Sequence, residues 1–271
     1  MRGKSQVVRF ALAVSAVAVL AACGASGSSG GAAPVGSGGT AATTSTAAAS
    51  PSQTPALTIA RALAATQASE GAKFTLVSTV RKSAATGTDF DLVTTCTGTT
   101  AFTPKESGTW TCVLSKAYAE WAATTQGFPK EGAVARFTSR VVILDGTLYY
   151  HSVNSKGSAF DAYPMTHEDK CMLDAIGYCA SPGAMFYQLT SLPWTVTATG
   201  PTLGGKFTKT ADGVTVSGTL DLRVDDAERI TSVLTTGLTQ GPSGDQASDT
   251  KVTFTSYGPQ PAAVVPENVS P

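Results

Sequence analysis

The residue types best suited to catalysis or metal binding are few in this sequence. It has two histidines, His151 and His167. His167 is followed by two carboxylates and by Cys171, so nitrogen, oxygen and sulfur ligands for a metal ion lie close together along the chain. These residues fall at the start of a predicted helix, however, and consecutive helical residues point in different directions. We therefore interpret His167 as part of a solvated helix start, and we predict no metal ion and no other cofactor.

Motifs for nucleophilic catalysis and for phosphate binding are also missing from the sequence. There is no Gly-x-Ser-x-Gly elbow of the kind that presents a catalytic serine. Gly204-Gly205 lies between predicted strands, and we interpret it as a bend rather than a phosphate loop. Asp225-Asp226 lies in a predicted turn, where solvation is the ordinary explanation for paired carboxylates. We predict that the protein is not an enzyme; a hydrolase on an unfamiliar fold is the remaining catalytic hypothesis.

The cysteine nearest the N-terminus, Cys23, lies in a different context. A basic start is followed by 13 uncharged residues, Phe10–Ala22, which is the layout of a secretory signal peptide. The sequence Leu20-Ala21-Ala22-Cys23 resembles the lipobox of bacterial lipoproteins. The resemblance implies removal of residues 1–22, diacylglycerol and palmitate on Cys23, and a lipid anchor on the extracytoplasmic face of the cell membrane. An ordinary signal peptide with an incidental Cys23 is the alternative.

The rest of the chain carries little net charge. The sequence has 19 basic and 19 acidic residues, and without residues 1–22 it has 16 basic ones. The resulting formal charge of −3 gives no electrostatic basis for binding nucleic acid. Residues 24–55 contain seven glycines and neither charged nor aromatic residues, which is typical of a flexible tether. We predict that residues 23–55 tether a folded domain over 56–266, followed by a disordered tail at 267–271.

Four further cysteines suit an exported protein, because an even number is typical of a disulfide framework. They are Cys96, Cys112, Cys171 and Cys179, for which three pairings are possible. Cys96 and Cys112 fall on one face of two neighbouring predicted strands if the hairpin between them turns at Pro104. This register favours a Cys96–Cys112 bridge and, by elimination, a Cys171–Cys179 bridge within a helical segment.

Hydrophobic alternation predicts that most of the chain forms antiparallel strands. A helix is expected first, over 55–69, because Thr54 can cap it and Gly71 can end it. A second helical segment is expected within 166–192, between two groups of strands. The predicted strands are Lys73–Val80, Asp89–Thr97, Thr109–Ser115, Ala117–Ala122, Val134–Leu144, Thr147–Val153, Trp194–Thr199, Lys206–Thr210, Val214–Val224, Arg229–Thr239 and Lys251–Tyr257.

Two Asp-Gly pairs predict the register of neighbouring strands. Asp145-Gly146 is a two-residue hairpin signal that aligns the apolar sides of the strands before and after it. Asp212-Gly213 is a second one, and it places Phe207 opposite Gly218. We expect the aromatic ring to cover the space that the glycine leaves.

Several segments together resemble the actinobacterial LppX/LprG group of lipoproteins, which belongs to the LolA-like half-barrels. They are Leu20–Cys23, the helix Ala56–Ser69 running into Phe74–Val80, the hairpin Leu144–Tyr149 and the ending Lys251–Pro259. The resemblance implies an α+β fold, in which a strongly curved antiparallel half-barrel of ten or eleven strands has its concave face covered by the N-terminal helix and a short helical insertion. It also implies an internal hydrophobic cavity and no catalytic motif.

We therefore expect a monomeric, membrane-anchored protein that binds an acylated lipid or glycolipid in this cavity, for carriage or presentation in the cell envelope. The alternative is an envelope scaffold or accessory lipoprotein that binds a protein partner, with a filled core and an exposed apolar patch. For each expected lining residue, a place in an ordinary core is an equal alternative. The expected lining residues are Phe74, Leu76, Val141, Ile143, Leu148, Tyr150, Met185, Phe186, Leu189, Val216, Leu220 and Leu222.

Overall fold

The computed structural model describes residues 57–164 and 182–270, apart from residues 85, 104, 154, 156, 212 and 243. In this part of the chain, eleven strands form one antiparallel sheet that is not closed into a barrel. The strands are β1 (Gly71–Val80), β2 (Leu92–Ala101), β3 (Ser107–Leu114), β4 (Ser139–Leu144), β5 (Thr147–His151), β6 (Asp161–Pro164), β7 (Thr195–Thr199), β8 (Thr202–Ala211), β9 (Val214–Val224), β10 (Ile230–Gln240) and β11 (Gln246–Thr255).

The first and the last strand of the chain lie next to each other in the middle of the sheet. The strand order runs β6-β5-β4-β3-β2-β1-β11-β10-β9-β8-β7. β1 and β11 therefore pair at the centre, and each half of the chain builds one half of the sheet outward. The edge strands β6 and β7 are consecutive in the chain, so the segment between them passes from one edge to the other. The prediction of one large antiparallel sheet with few helices is confirmed.

Four helices accompany the sheet in the part of the chain that the structure describes. The last of them lies within the predicted helical segment 166–192, of which residues 166–181 lie outside the described part. The helices are α1 (Ile59–Gln67), α2 (Lys116–Thr125), α3 (Ala133–Arg136) and α4 (Pro182–Ser191).

The N-terminal helix α1 is shorter than the 55–69 expected from the sequence. It begins after Thr58, whose Oγ1 accepts a hydrogen bond from Arg61 N at 3.2 Å. Thr58 therefore caps the helix. The predicted cap, Thr54, lies outside the described residues.

The prediction of a strand over Ala117–Ala122 is wrong, because this segment lies in helix α2. Ser115 caps α2 by accepting a hydrogen bond from Tyr118 N at 3.4 Å. The buried residues of α2 are alanines three and four positions apart, a spacing that suits a helix rather than a strand. The predicted strand Val134–Leu144 likewise begins inside a helix, α3, and continues as β4 only from Ser139.

The two predicted hairpins have the register that their turns indicate. Both residues of Asp145-Gly146 have positive φ, 51° and 77°, as a two-residue hairpin turn requires, and Ile143 lies opposite Leu148. In the second hairpin, Phe207 lies opposite Gly218. A Cβ atom at Gly218 would come within 2.5 Å of the Phe207 ring, so the ring occupies the space that the glycine leaves.

The predicted bend at Gly204-Gly205 is wrong. Both residues lie inside β8, where they pair with Asp221 and Leu220 of β9. A Cβ atom at Gly205 would lie 3.2 Å from Leu220 Cβ and 3.4 Å from a ring carbon of Trp194. The absence of a side chain at Gly205 therefore makes room for Leu220 and Trp194, and it does not bend the chain.

Cys96 and Cys112 form a disulfide bridge between β2 and β3. They lie directly opposite each other in the pairing of these strands, as the hairpin register predicts. The predicted Cys96–Cys112 bridge is confirmed. Cys171 and Cys179 lie outside the described residues, so their pairing stays a prediction.

The chain after β11 is bound to the sheet close to its C-terminal end. Phe160 N donates a hydrogen bond to Asn268 O at 2.7 Å, and Ser270 N donates one to Phe160 O at 2.8 Å. Phe160 and Val269 form a parallel bridge. This contact differs from the disordered tail expected over 267–271. Phe160 is far from residues 268–270 in the sequence, so the local composition of the tail does not indicate this contact.

Candidate ligand-binding site

One face of the sheet is apolar, and we call it the wall. Opposite residues of antiparallel strands lie on the same face, so alternate residues of nine neighbouring strands, from β5 to β8, collect there. The other face is rich in threonine, such as Thr75, Thr97 and Thr111 side by side. The buried residues of the wall are Ala72, Phe74, Leu76, Cys96, Trp110, Cys112, Val141, Ile143, Leu148, Tyr150, Leu203, Leu220, Leu222, Ile230, Val233, Val252 and Phe254.

Of the twelve residues expected to line a ligand site, the structure brings eleven together in one cluster. Nine of the twelve belong to strands and lie on the apolar face, and three belong to α4. Each is at most 9% exposed. The twelfth, Val216, is buried outside the cluster. Contact of these residues with a ligand stays a prediction.

Several residues of the wall were not among those expected. Val233 and Val252 lie side by side at its centre, and Val233 also lies opposite Leu222. Phe254 follows in β11 on the same face. The alternation of apolar residues in β11 was a usable signal for this part of the wall. Val252 and Phe254 both lie within the predicted strand Lys251–Tyr257, although the observed strand begins five residues earlier, at Gln246.

Two helices, α1 and α4, cover the wall, and we call them the roof. Ala62 and Leu63 of α1 belong to the same hydrophobic cluster as the wall, and so do Met185, Phe186 and Leu189 of α4. The Phe186 ring stacks on an aromatic ring of β11, with centroids 5.7 Å apart. Helix α4, which belongs to the connection between the two sheet edges, therefore lies against the apolar face.

The N-terminus of α4 is held by Glu106 in the turn between β2 and β3. Gly183 N donates a hydrogen bond to Glu106 Oε1 at 3.0 Å. The first N–H groups of a helix have no partner within the helix, and the helix dipole favours a negative charge at this end. Glu106 therefore fixes one end of the roof to the sheet.

Glu106→Ala is expected to lower the free energy of unfolding by about 1 kcal/mol, because it removes this carboxylate from the helix start. Chemical denaturation followed by circular dichroism measures the change. Lys105→Ala, in the same turn and exposed, is the control, with an expected change below about 0.5 kcal/mol. Equal losses in the two variants would contradict the capping role.

Thr66 is a buried polar residue that joins α1 to β10. Its Oγ1 accepts a hydrogen bond from Ile230 N at 2.8 Å and donates one to Ala62 O at 2.7 Å. The pairing of β10 with β9 shifts register between Ile230 and Ser232, and such a bulge leaves a backbone group outside the ladder. The Tyr257 hydroxyl donates to Ile230 O, and burial raises the pKa of Tyr257, so it remains a donor. These polar atoms hold α1 against the wall.

Asp225 organises the turn between β9 and β10 and is more than a solvated carboxylate. Its Oδ1 accepts hydrogen bonds from Ala227 N at 3.0 Å and Arg229 N at 2.9 Å, and its Oδ2 accepts one from Arg229 Nε at 2.8 Å. Partial burial acts to raise the pKa of Asp225, but the hydrogen bonds from Arg229 and its charge outweigh burial and lower that pKa. We therefore assign Asp225 a structural role.

Because its pKa is lowered by folding, Asp225 stabilises the folded state above the unfolded value of about 3.9, and this contribution is lost as pH falls through the folded value. We expect Asp225→Asn to be less stable than the wild type at about pH 7 and to approach it at about pH 2. Thermal unfolding at a series of pH values measures the difference. Asp226→Asn, at the exposed neighbour, is the control. A difference for Asp225→Asn that stays constant with pH would refute this role.

His151 is the histidine that lies within the described ranges. His151 Nε2 lies 3.1 Å from Gly157 O, and its ring centroid lies 5.6 Å from that of Phe160, so His151 is packed at the β5–β6 edge. No group of three or more His, Cys, Asp or Glu residues within those ranges can hold a metal ion. Among the same residues, no helix is both long and apolar enough to cross a bilayer. His167 and Cys23 lie outside the described part of the chain.

Comparison with known proteins adds no family assignment. The chain matches no family model, and no curated protein is significantly similar to it. Proposals about its function therefore depend on its own residues, on the geometry of the wall and roof, and on the short sequence resemblances.

Proposed function

We propose that the protein is a membrane-anchored lipoprotein that binds the acyl chains of a lipid or glycolipid between the wall and the roof. The observation that carries the proposal is a buried apolar wall of nine strands against which two short helices pack in the part of the chain that the structure describes. The lipobox-like sequence Leu20–Cys23 supports an anchor on the extracytoplasmic face of the membrane. The resemblance to the LppX/LprG group supports carriage or presentation of lipid in the cell envelope, which needs binding and no catalytic group.

The dimensions of the wall and the roof support a curved sheet. The nine strands of the wall, about 4.8 Å apart, would span roughly 38 Å if the sheet were flat. α1 has 9 residues and α4 has 10, so each is about 15 Å long and about 10 Å wide. A sheet that curves around these two helices, as in a half-barrel with the roof on its concave side, would bring more of the wall into contact with them. The wall is buried in the structure without a ligand, so the tail of another molecule would enter as the roof moves away from the wall.

An alkyl chain would bind such a wall without any charged partner. The buried polar residues among those that the structure describes are Thr66, Thr100, Ser139, Ser155 and Gln246, and none of them is charged. Burying roughly 300–400 Å² of alkyl surface contributes on the order of 8–10 kcal/mol before the costs of association. The apolar tail would therefore supply most of the affinity.

The lipid content of the mature protein, purified from its native envelope, tests the proposal. We expect stoichiometric lipid in a solvent extract analysed by mass spectrometry. An anchor on Cys23 is covalent and stays with the protein, and mass spectrometry of the N-terminal peptide detects it separately. An extract without lipid, together with an interior filled by the protein's own side chains, would favour the scaffold alternative.

Gly237→Leu is expected to lower the extracted lipid severalfold, because it adds an apolar side chain on the face that Val216 and Leu220 share. A Cβ atom at this position would lie 3.2 Å from the Ser248 hydroxyl, which has to move by a few tenths of an ångström. Thr236→Leu, one residue away and on the opposite face, is the control and should leave the lipid content unchanged. Equal lipid in the two variants would exclude the surface around Gly237 from the ligand site.

A further inference from the structure

Trp110 buries a hydrogen-bond donor for which the described residues offer no acceptor. Its side chain belongs to the wall and is 4% exposed, and its Nε1 atom is buried without a partner among those residues. Trp194, which also packs against the wall, donates its Nε1–H to Gln188 O at 3.2 Å. An unmet buried donor costs about 1–3 kcal/mol, and a buried indole N–H usually has a partner. Packing alone therefore does not account for tryptophan at this position.

The backbone around Trp110 holds the indole ring in place. Trp110 lies opposite Gly98 on β2 and opposite Val141 on β4. A side chain at position 98 would overlap with Trp110, so the glycine is needed for this arrangement. The Phe74 ring meets the indole edge-on, with centroids 5.8 Å apart. The disulfide bridge between β2 and β3 lies two residues farther along both strands. The indole ring is therefore held at a fixed place on the wall, and its N–H group is buried there.

A buried water molecule is a poor partner for this donor. Buried waters typically make about three hydrogen bonds to polar groups. The neighbours of Trp110 in the sheet and across the ring contact are Phe74, Gly98 and Val141, whose side chains are apolar or absent. An acceptor atom that belongs to an otherwise apolar molecule can satisfy the donor while the rest of that molecule contacts the wall.

The surroundings of Trp110 select an uncharged acceptor. None of the buried residues in the described part of the chain is charged, and a single neutral donor does not offset the cost of burying a carboxylate. Tyr150, opposite Val141, is also kept neutral, because burial raises its pKa. A carbonyl oxygen meets these requirements, whereas the carboxylate of a fatty acid does not.

We infer that Trp110 donates its indole N–H to the ester carbonyl oxygen of an acylated ligand. This binding contact rests on the proposed function and narrows it, since it assigns the ligand to the neutral acyl esters rather than the free fatty acids. Trp110 thereby acts as the polar determinant of specificity in an otherwise apolar site.

The test compares two ligands that differ in one acceptor. Glycerol monolaurate carries an ester carbonyl, and glycerol monododecyl ether has a methylene group in its place. Trp110→Phe removes the N–H and keeps an aromatic ring, and Trp194→Phe is the matched control because its N–H bonds within the chain. In the full mature chain, we expect Trp110→Phe to lose about fivefold in affinity for the ester and little for the ether. Trp194→Phe should keep the preference for the ester.

The NMR signal of the Trp110 indole N–H gives a second readout. If the ring had only a structural role, this signal would not distinguish the two ligands. Addition of the ester should shift this signal downfield, and addition of the ether should not. Equal losses of affinity for both ligands in Trp110→Phe, or an identical response of the signal to both, would overturn the inference and leave the proposed function intact. Failure of the wild type to bind either ligand would overturn the proposed function itself, and the inference with it.

Discussion

Leu222→Ala is expected to lower the free energy of unfolding by about 3 kcal/mol. Leu222 is 0% exposed on the wall, where it lies between Leu203 on β8 and Val233 on β10. Truncation loses the transfer free energy of the removed carbons and leaves a cavity, because paired strands on both sides cannot move in to fill it. Urea denaturation of the purified protein measures the loss.

Leu234→Ala is the matched control, because it makes the same substitution on the neighbouring strand, on the opposite face. Leu234 is 36% exposed and lies opposite Asp221. We expect a loss of at most about 1 kcal/mol. A one-residue slip of register exchanges the two faces of a strand. Losses of similar size for Leu222→Ala and Leu234→Ala would therefore show that the wall has been assigned to the wrong face.

Long strands with regular alternation could be predicted from the sequence, and short hairpins supplied their register. β9 has the predicted bounds, Val214–Val224, because its apolar and polar residues alternate and an Asp-Gly turn precedes it. The pairing of Cys96 with Cys112 follows from the geometry of a single hairpin in the same way. In these regions, the local pattern and the final packing require the same arrangement.

Short segments and segments of small residues could not be predicted in this way. Alanine suits both the apolar and the polar positions of a pattern, so the periodicity of Ala117–Ala122 was weak, and the Ser115 cap with the helix propensity of alanine favours α2 instead. β6, Asp161–Pro164, has four residues and was missed because so short a segment shows little alternation. The bridge between Phe160 and Val269 joins distant parts of the chain and leaves no local signal.

The same distinction applies to the candidate site, where some features could be predicted from the sequence and others could not. Alternation places Phe74, Leu76 and the other expected strand residues on one face, which is information that a sequence contains. The unmet donor of Trp110 and the contact between Glu106 and the start of α4 depend on groups brought together only by the fold. A sequence therefore indicates which residues form an apolar wall, but not which polar atom on it lacks a partner.

Cys96→Ala/Cys112→Ala is expected to lower the free energy of unfolding by about 3 kcal/mol. The bridged residues are 16 apart in the sequence, and closing a loop of about this length restricts the unfolded chain by that amount in the chain-entropy model. The comparison is best made in a Cys171→Ala/Cys179→Ala background, so that no other pair of these cysteines changes. Reduction of that parent protein should then reproduce the loss, and reduction of the double variant should have no effect.

The variant Cys96→Ala/Cys112→Ala also distinguishes two ways in which the disulfide bridge can affect the candidate site. If the bridge acts through the unfolded chain, the folded variant should keep its β2–β3 pairing, the NMR signal of Trp110 and the preference for the ester ligand. If the bridge instead holds Trp110 in position, the preference should fall while the variant is still folded. An unchanged free energy of unfolding would mean that the β2–β3 hydrogen bonds alone already hold this hairpin together.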